Sequence, residues 1–141
     1  MDRVGGVIIT HGQLANELVA AAEAVVGDLL HIRAVSIGWH DDVEIAKQEI
    51  GRAITEVEAG SGVLLLTDMF GGTPTNIAAM FLEAGKVEVV TGVNLPMVIK
   101  LATASSDLGL GQLAHDVEEQ GKTSISTAGS LLTPLKARKD A

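Results

Sequence analysis

The stretch VGGVIITHGQLANEL, residues 4–18, decides the fold, because an apolar run passes directly into a helical pattern. The run VGGVII has no alternation of polar and apolar residues, which is typical of a parallel strand covered on both faces. Thr10, His11 and Gly12 interrupt the run, and a helical periodicity begins at once. The stretch therefore predicts a strand followed by a helix, with a titratable imidazole at the carboxyl end of the strand.

Further strand and helix patterns alternate along the rest of the chain. Apolar runs at residues 32–37, 62–67 and 87–92 predict three more strands, and residues 123–127 predict a fifth, shorter one. The 141 residues suit one domain. We therefore expect an α/β fold with an open, mostly parallel sheet in the order 2-1-3-4, covered by helices on both faces.

The helical patterns give expectations about faces and ends. In the helix predicted over residues 13–26, the inward face is predicted to comprise Leu14, Leu18, Ala21 and Val25. Asp41 is the predicted N-cap of the next helix. A third helix is expected to be capped by Thr73, with Pro74 in its first turn, and to end at Gly85. In the last helix, the predicted inward residues are Leu110, Leu113, Ala114 and Val117.

Composition excludes several classes of function. The chain contains no cysteine, so it has no disulfide, zinc-thiolate site or cysteine nucleophile. A formal charge of −8 with only 2% aromatic residues argues against nucleic acid as a partner. The first residues lack the basic region and long apolar stretch of a signal peptide, and no apolar run is long enough to span a membrane. We therefore expect a cytoplasmic protein.

The residues that carry chemistry follow the predicted strands at their carboxyl ends, where open parallel sheets place their sites. His11 follows the first strand, and Asp68 follows the third. If these strands are neighbours, the two side chains face each other. A carboxylate that holds one imidazole N–H fixes the tautomer and leaves a lone pair on the opposite ring nitrogen. The pair therefore predicts a histidine that acts as nucleophile or base.

The surroundings of this pair favour an anion. Backbone N–H groups of Gly71 and Gly72 lie just before a predicted helix, and the hydroxyls of Thr73 and Thr10 can add donors. A phosphoryl group on His11 would use all of these groups. No acidic cluster typical of a magnesium site is evident, so we expect no metal and no cofactor, and transfer would depend on positioning and fixed dipoles.

Simpler interpretations stay open for each of these residues. His11 can be a strand-end loop residue, Asp68 a loop cap, the glycines a tight turn, and the threonines ordinary capping residues. Phe70 fits a core position as well as a partner contact, and Trp39 with His40 fits a rim without chemistry. His31 and His115 are expected on solvated surfaces. A metal site made of His11, His40 and Asp68 is a further alternative.

Three motifs carry a resemblance to a known family. They are THG at residues 10–12, TDMFGGTPTN at residues 67–76 and GVNLPM at residues 92–97. In order, spacing and strand-end placement, they resemble the IIA component of the mannose-type (mannose/fructose/sorbose) bacterial sugar phosphotransferase system. The resemblance covers roughly residues 4–130, and we divide the chain into a IIA domain at residues 1–130 and a tail at residues 131–141.

The resemblance implies a reaction and a set of partners. His11 would be transiently phosphorylated by the phosphocarrier protein HPr and would pass the group to a IIB component, which serves a membrane IIC/IID complex. Asp68 would hydrogen-bond His11, and Thr73 would help to hold the phosphoryl group. The resemblance also implies a homodimer in which a C-terminal strand, here residues 123–127, joins the partner's sheet as its antiparallel strand.

One segment departs from the family pattern. Relatives usually carry Pro-Gly and an acidic residue after the second strand, whereas this chain reads Gly-Trp-His-Asp at residues 38–41. Phe70 and Trp39 are the candidate partner contacts. Two other functions stay open: a regulatory module controlled by phosphorylation, and the phosphoryl donor of a dihydroxyacetone kinase, against which GVNLPM argues.

Overall fold

The computed structural model describes residues 3–38 and 41–132 of the chain. Within these residues, strands and helices alternate from the first strand to the fourth, and three helices close the described chain. The elements are β1 Gly5–His11, α1 Leu14–Val26, β2 Ile32–Ile37, α2 Val43–Val57, β3 Val63–Thr67, α3 Thr73–Ala79, β4 Val87–Val90, α4 Leu95–Thr103, α5 Leu110–Thr123 and α6 Ala128–Leu132.

The four strands form one parallel sheet in the order β2-β1-β3-β4, so the predicted fold class and strand order are confirmed. β1 lies in the middle, with Thr10 opposite Ser36 of β2 and Ile9 opposite Thr67 of β3. Because β1 and β3 are neighbours and run in the same direction, the residues that follow them meet at one edge of the sheet.

Each face of the sheet has its own core. Ile8 packs in a cluster with residues of α1, α4 and α5, whereas Val7 and Ile9 pack with residues of α2 and α3. Successive side chains of a strand point to opposite faces, so the middle of β1, residues 7–9, needs an apolar residue at every position. This double coverage explains why the strand sequences lack alternation.

Two small residues at the start of β1 allow helices to approach the sheet closely. A Cβ on Gly5 would lie 2.4 Å from the carbonyl oxygen of Val57, at the end of α2. A Cβ on Gly6 would lie 2.4 Å from Cδ2 of Leu101, in α4. The two glycines therefore make room for one helix on each face.

The helices correct several expectations. α1 rests on the sheet through Ala15 and Ala22, and Leu18 packs against the same core, as predicted. Leu14 and Val25 are exposed, so the prediction that they face inward is wrong. The small alanines allow α1 to pack closer to the sheet than the larger side chains of Leu14 and Val25 would. The predicted inward face of α5, in contrast, is confirmed, because all four residues are buried.

The predicted ends of two helices are also wrong. α2 is capped by Asp42, whose carboxylate accepts a hydrogen bond from Glu44 N–H at 2.7 Å, and Asp41 instead accepts one from Gly38 N–H. α3 is capped by Gly72 instead of Thr73, which is its first residue, and it ends at Ala79 instead of Gly85, before the chain turns back into β4. Gly85 lies in that turn with φ of 77°, in the left-handed region that favours glycine.

The C-terminal part of the described chain differs from the expectation. Thr123 is the last residue of α5, and residues 124–127 are not a strand, so a fifth strand in the chain's own sheet is wrong. Exchange of this segment in a homodimer stays a prediction. The predicted domain boundary after residue 130 falls within α6, and residues 133–141 lie outside the described residues.

His31 and His115 differ in exposure. His115 is exposed as expected, but His31 is only partly exposed and its Nε2 is buried, so the expectation for His31 is wrong.

Among the residues that the structure describes, no helix combines the length and the apolar character that a membrane crossing requires.

Substituting Gly5 by alanine is expected to destabilise the protein more than substituting Gly6. The new methyl group at residue 5 meets a backbone oxygen that cannot move alone, whereas Leu101 can shift its flexible side chain. Overpacking of this kind costs about 1–3 kcal/mol, so urea unfolding should place Gly5→Ala in that range and Gly6→Ala below it. Gly111→Ala, with no neighbour within 4 Å, is the control. Equal midpoints for Gly5→Ala and the wild type would contradict this account of close packing.

Candidate functional site

His11 and Asp68 lie in contact at the carboxyl edge of the sheet. His11 is the last residue of β1, and Asp68 directly follows β3. The ring Nδ1 of His11 is 2.7 Å from Oδ2 of Asp68, and the backbone N–H of His11 donates to the same oxygen at 2.9 Å. The predicted contact between the two residues is confirmed. It joins side chains that are 57 positions apart in the sequence.

The hydrogen bonds to Asp68 keep its carboxylate ionised. Burial alone would raise the pKa of Asp68, but the hydrogen bonds from the backbone and ring of His11 and the charge of that ring lower it. The backbone N–H of Met69 donates to Oδ1 at 2.9 Å and lowers the pKa further. The result is a pKa below the ordinary value of an aspartate. An ionised carboxylate can only accept, so Nδ1 of a neutral His11 must carry the proton.

This tautomer leaves the lone pair on Nε2, at the opposite side of the ring from Asp68. The side chain of His11 is 42% exposed, whereas that of Asp68 is only 12% exposed. A cavity of about 280 Å³ opens beside the ring, and its lining consists of His11, Gly12, Ile37, Gly38, Asp41, Val43 and Thr73. The geometry therefore gives the histidine a fixed partner at Nδ1 and leaves the ring half-exposed beside a cavity.

The loop between β3 and α3 brings the predicted anion-binding residues to the same place. Gly71 has φ of 87°, which favours glycine, and Gly72 is the N-cap of α3. Thr73 is the first residue of that helix, is exposed and lines the cavity with His11. Pro74 has no N–H, but the other N–H groups of a first helical turn have no partner within the helix and can bind an anion or water.

Thr10 does not belong to this exposed surface. Its side chain is 0% exposed, and its hydroxyl accepts a hydrogen bond from Ala15 N–H at 2.7 Å while donating to the carbonyl oxygen of His11 at 3.2 Å. The prediction that Thr10 contacts phosphate is corrected for this reason. The hydroxyl instead ties the end of β1 to the first turn of α1.

The two predicted partner contacts have different outcomes. Phe70 is 83% exposed, which excludes the interpretation that it fills the core, and Met69 beside it is also exposed. Trp39 lies outside the described residues, as does His40, on which the alternative of a metal site depended. Among residues 3–38 and 41–132, no group of three or more His, Asp or Glu side chains could hold a metal ion.

A buried hydroxyl network, which the motifs do not predict, holds the loop between β3 and α3. The hydroxyl oxygens of Thr67 and Thr75 are 2.6 Å apart, and Thr75 donates to the carbonyl oxygen of Met69 at 2.6 Å. Because each hydroxyl has one proton, Thr67 must donate to Thr75. The network connects the end of β3, the loop and α3. Its only trace in the sequence is a threonine on each side of the loop.

The chain was compared with known proteins. The family model described as PTS system fructose IIA component, EIIA-man, matches residues 5–118. The fructose-specific EIIA component of Bacillus subtilis (strain 168) is 25% identical over 131 residues, which are 92% of this chain and 90% of that protein. The mannose-specific EIIAB component of Escherichia coli (strain K12) is 29% identical over 102 residues, covering 72% of this chain but only 32% of that protein.

The solved structures agree with the sequence relatives. The mannose/sorbose specific IIA subunit of the phosphotransferase system from Enterococcus faecalis matches with a TM-score of 0.79 and 28% identity. The match covers 89% of this chain and 94% of that structure. The structural similarity therefore extends over most of the chain, and residues 5–118, which the family model matches, include His11 and Asp68.

Replacing Thr75 by valine is expected to loosen the loop. The change keeps the shape of the side chain but leaves the Met69 carbonyl without its donor and the Thr67 hydroxyl without its acceptor. An unsatisfied buried polar group costs about 1–3 kcal/mol, which urea unfolding would measure, and amide exchange at residues 69–72 should become faster. Thr75→Ser keeps the hydroxyl and should remain close to wild type. Thr103→Val, which removes an exposed helical hydroxyl, is the matched control. If Thr75→Val and Thr103→Val had the same small effect, the network would not hold the loop.

Proposed function

The chain belongs to the EIIA-man family of PTS system fructose IIA components, and we propose that it carries a phosphoryl group on His11. In this proposal His11 accepts the group from HPr in the cytoplasm and passes it to a IIB component of a sugar phosphotransferase system. The observation that supports it best is the 2.7 Å contact between Nδ1 of His11 and Asp68, next to a cavity that the half-exposed His11 helps to line. PTS IIA components are phosphotransferase proteins, so the proposed reaction is a transfer between protein histidines.

The reaction follows from the tautomer. The lone pair of Nε2 attacks the phosphorus of the donor's phosphohistidine in line, and the bond from phosphorus to the donor nitrogen breaks as the new bond forms. The donor nitrogen leaves with the electron pair of the broken bond. The ring of His11 gains positive charge during this step, and the ionised Asp68, already bound to Nδ1–H, balances it. Transfer to the acceptor is the same exchange in reverse, with His11 as the leaving group.

The phosphoryl group needs donors for its oxygens. We assign this role to the hydroxyl of Thr73, which lines the cavity, and to the backbone N–H groups of Gly71 and Gly72. The described lining of the cavity includes the carboxylate of Asp41 but no lysine or arginine. A free anion would therefore gain little attraction here, which favours covalent attachment to His11 over simple binding of phosphate.

The exposed loop beside the site is the proposed contact with the partners. Phe70 and Met69 directly follow Asp68 and present apolar surface to solvent at the edge that carries His11. An exposed aromatic residue buries a large area at little entropic cost when a partner covers it. HPr and IIB must both reach His11, so both would cover this loop in turn.

The first test is phosphorylation with phosphoenolpyruvate, enzyme I and HPr. The wild-type chain should gain one acid-labile phosphoryl group, and His11→Ala should gain none, as measured by intact-protein mass spectrometry at neutral pH. Asp68→Asn should remain folded but react about a hundredfold or more slowly, because an amide neither enforces the tautomer nor balances the charge.

The control for this test is His115→Ala, which changes an exposed histidine and should be labelled at the wild-type rate. Full labelling of His11→Ala would refute the proposed acceptor. An unchanged rate for Asp68→Asn would remove Asp68 from the reaction while leaving the acceptor intact. Labelling without onward transfer to any IIB component would favour a regulatory role.

Replacing Phe70 by alanine should weaken the interaction with HPr and leave the fold unchanged. Phe70 is 83% exposed, so the substitution opens no cavity, and its effect should appear only where a partner covers it. Surface plasmon resonance should show a loss of affinity of about tenfold or more, which corresponds to about 1.4 kcal/mol. Leu30→Ala, at 82% exposure and at the opposite end of the sheet, is the matched control. An equal affinity for both variants would exclude the loop from the interface.

A further inference from the structure

Gly72 lies against the edge of the His11 ring that carries Nε2. A Cβ built on Gly72 would be 2.8 Å from Cε1 of His11 and 3.3 Å from Nε2. Real Cβ atoms essentially never approach another heavy atom to less than 3.0 Å, so any side chain at residue 72 would force something to move. The ring of His11 therefore occupies the space that any side chain at residue 72 would need.

The backbone of Gly72 does not itself require glycine. Its φ of −87° and ψ of 168° are extended values that any residue adopts. Gly71 shows the opposite situation, because its φ of 87° favours glycine while nothing lies within 4 Å of a Cβ at that position. Glycine is thus favoured at the two adjacent positions for different physical reasons, a conformational one at residue 71 and a steric one at residue 72. The steric reason at residue 72 is the ring of His11.

The ring cannot avoid a side chain at residue 72 without losing its alignment. Its Nδ1 is held on Asp68 at 2.7 Å, and its other edge faces Gly72. The loop that carries Gly72 is itself held by the hydroxyls of Thr67 and Thr75. A methyl group would therefore turn the ring, which stretches the bond to Asp68 or moves Nε2 away from its present position.

We propose that Gly72 is a positioning residue for phosphoryl transfer: the absence of a side chain lets the imidazole of His11 lie against the loop, so that Asp68 holds Nδ1 while Nε2 stays aligned for attack. The proposal rests on the proposed function, and it adds a requirement on shape to the hydrogen bond from Asp68. It assigns the glycine a role through the ring of His11, apart from any contact between its backbone and phosphate.

The test is Gly72→Ala, read out in two ways. Phosphorylation by HPr should slow by about ten- to a hundredfold, because a misplacement of about 1 Å costs this much in rate. Long-range ¹H–¹⁵N spectra of the ring should show the Nδ1-protonated tautomer in the wild type and a mixture of tautomers in the variant. Gly111→Ala, on α5 with no neighbour within 4 Å, should match the wild type in both measurements.

A double variant tests whether the ring of His11 or the loop itself causes the loss of stability in Gly72→Ala. In His11→Ala the clashing atoms are absent, so adding Gly72→Ala should cost little or no stability in urea unfolding. In the wild-type background the same substitution should lower the unfolding midpoint. If Gly72→Ala fails to fold alone and the double variant folds, the ring is the cause. An equal loss in both backgrounds would overturn the proposal, because the loop itself would then need glycine.

The outcomes also distinguish this proposal from the proposed function. If HPr does not phosphorylate the wild-type chain but Gly72→Ala still shifts the tautomer, the ring-positioning role stands and the proposed function fails. If the wild type is phosphorylated and Gly72→Ala reacts at the same rate, the positioning role is wrong and the proposed function stands.

Discussion

One carboxylate oxygen accepts two hydrogen bonds from the same residue, and the site depends on that arrangement. Oδ2 of Asp68 binds both the backbone N–H and the ring Nδ1 of His11. The first bond fixes the end of β1 relative to the end of β3, and the second fixes the ring on that backbone. Because the main chain and the side chain share one anchor, the ring has a defined direction even though it is substantially exposed.

The surrounding fold keeps this anchor in place. The parallel register of β1 and β3 brings His11 and Asp68 to the same edge, and a separate core covers each face of the sheet. Thr75 donates to the Met69 carbonyl and accepts from Thr67, and these two bonds hold the loop after β3 in place. Where the ring needs space, Gly72 provides it. The direction of the His11 ring thus depends both on the rigid packing around it and on the absence of a side chain at residue 72.

The sequence predicted the parts of this arrangement that depend on pattern. Unbroken apolar runs predicted strands covered on both faces, and a histidine and an aspartate at two strand ends predicted their contact. The sequence pattern did not predict the features that depend on how the elements pack in three dimensions. Periodicity predicts Leu14 instead of Ala15 on the inward face of α1, because it does not reveal how closely a helix approaches the sheet. Thr10 is a plausible phosphate donor in sequence, yet its position in register directs its hydroxyl to the first turn of α1.

The charge around the site fits the proposed covalent carrier better than a receptor for a free anion. Asp68 favours positive charge on the ring, but its carboxylate and that of Asp41 repel a phosphoryl dianion. The net charge of the chain is −8, which adds to this repulsion. A group attached to Nε2 in such surroundings is held by its bond and by local dipoles, and little attraction is lost when it leaves. A phosphohistidine in this position would pass on its phosphoryl group more readily than one surrounded by lysine and arginine. Ready transfer in both directions is the property that a carrier between two proteins requires.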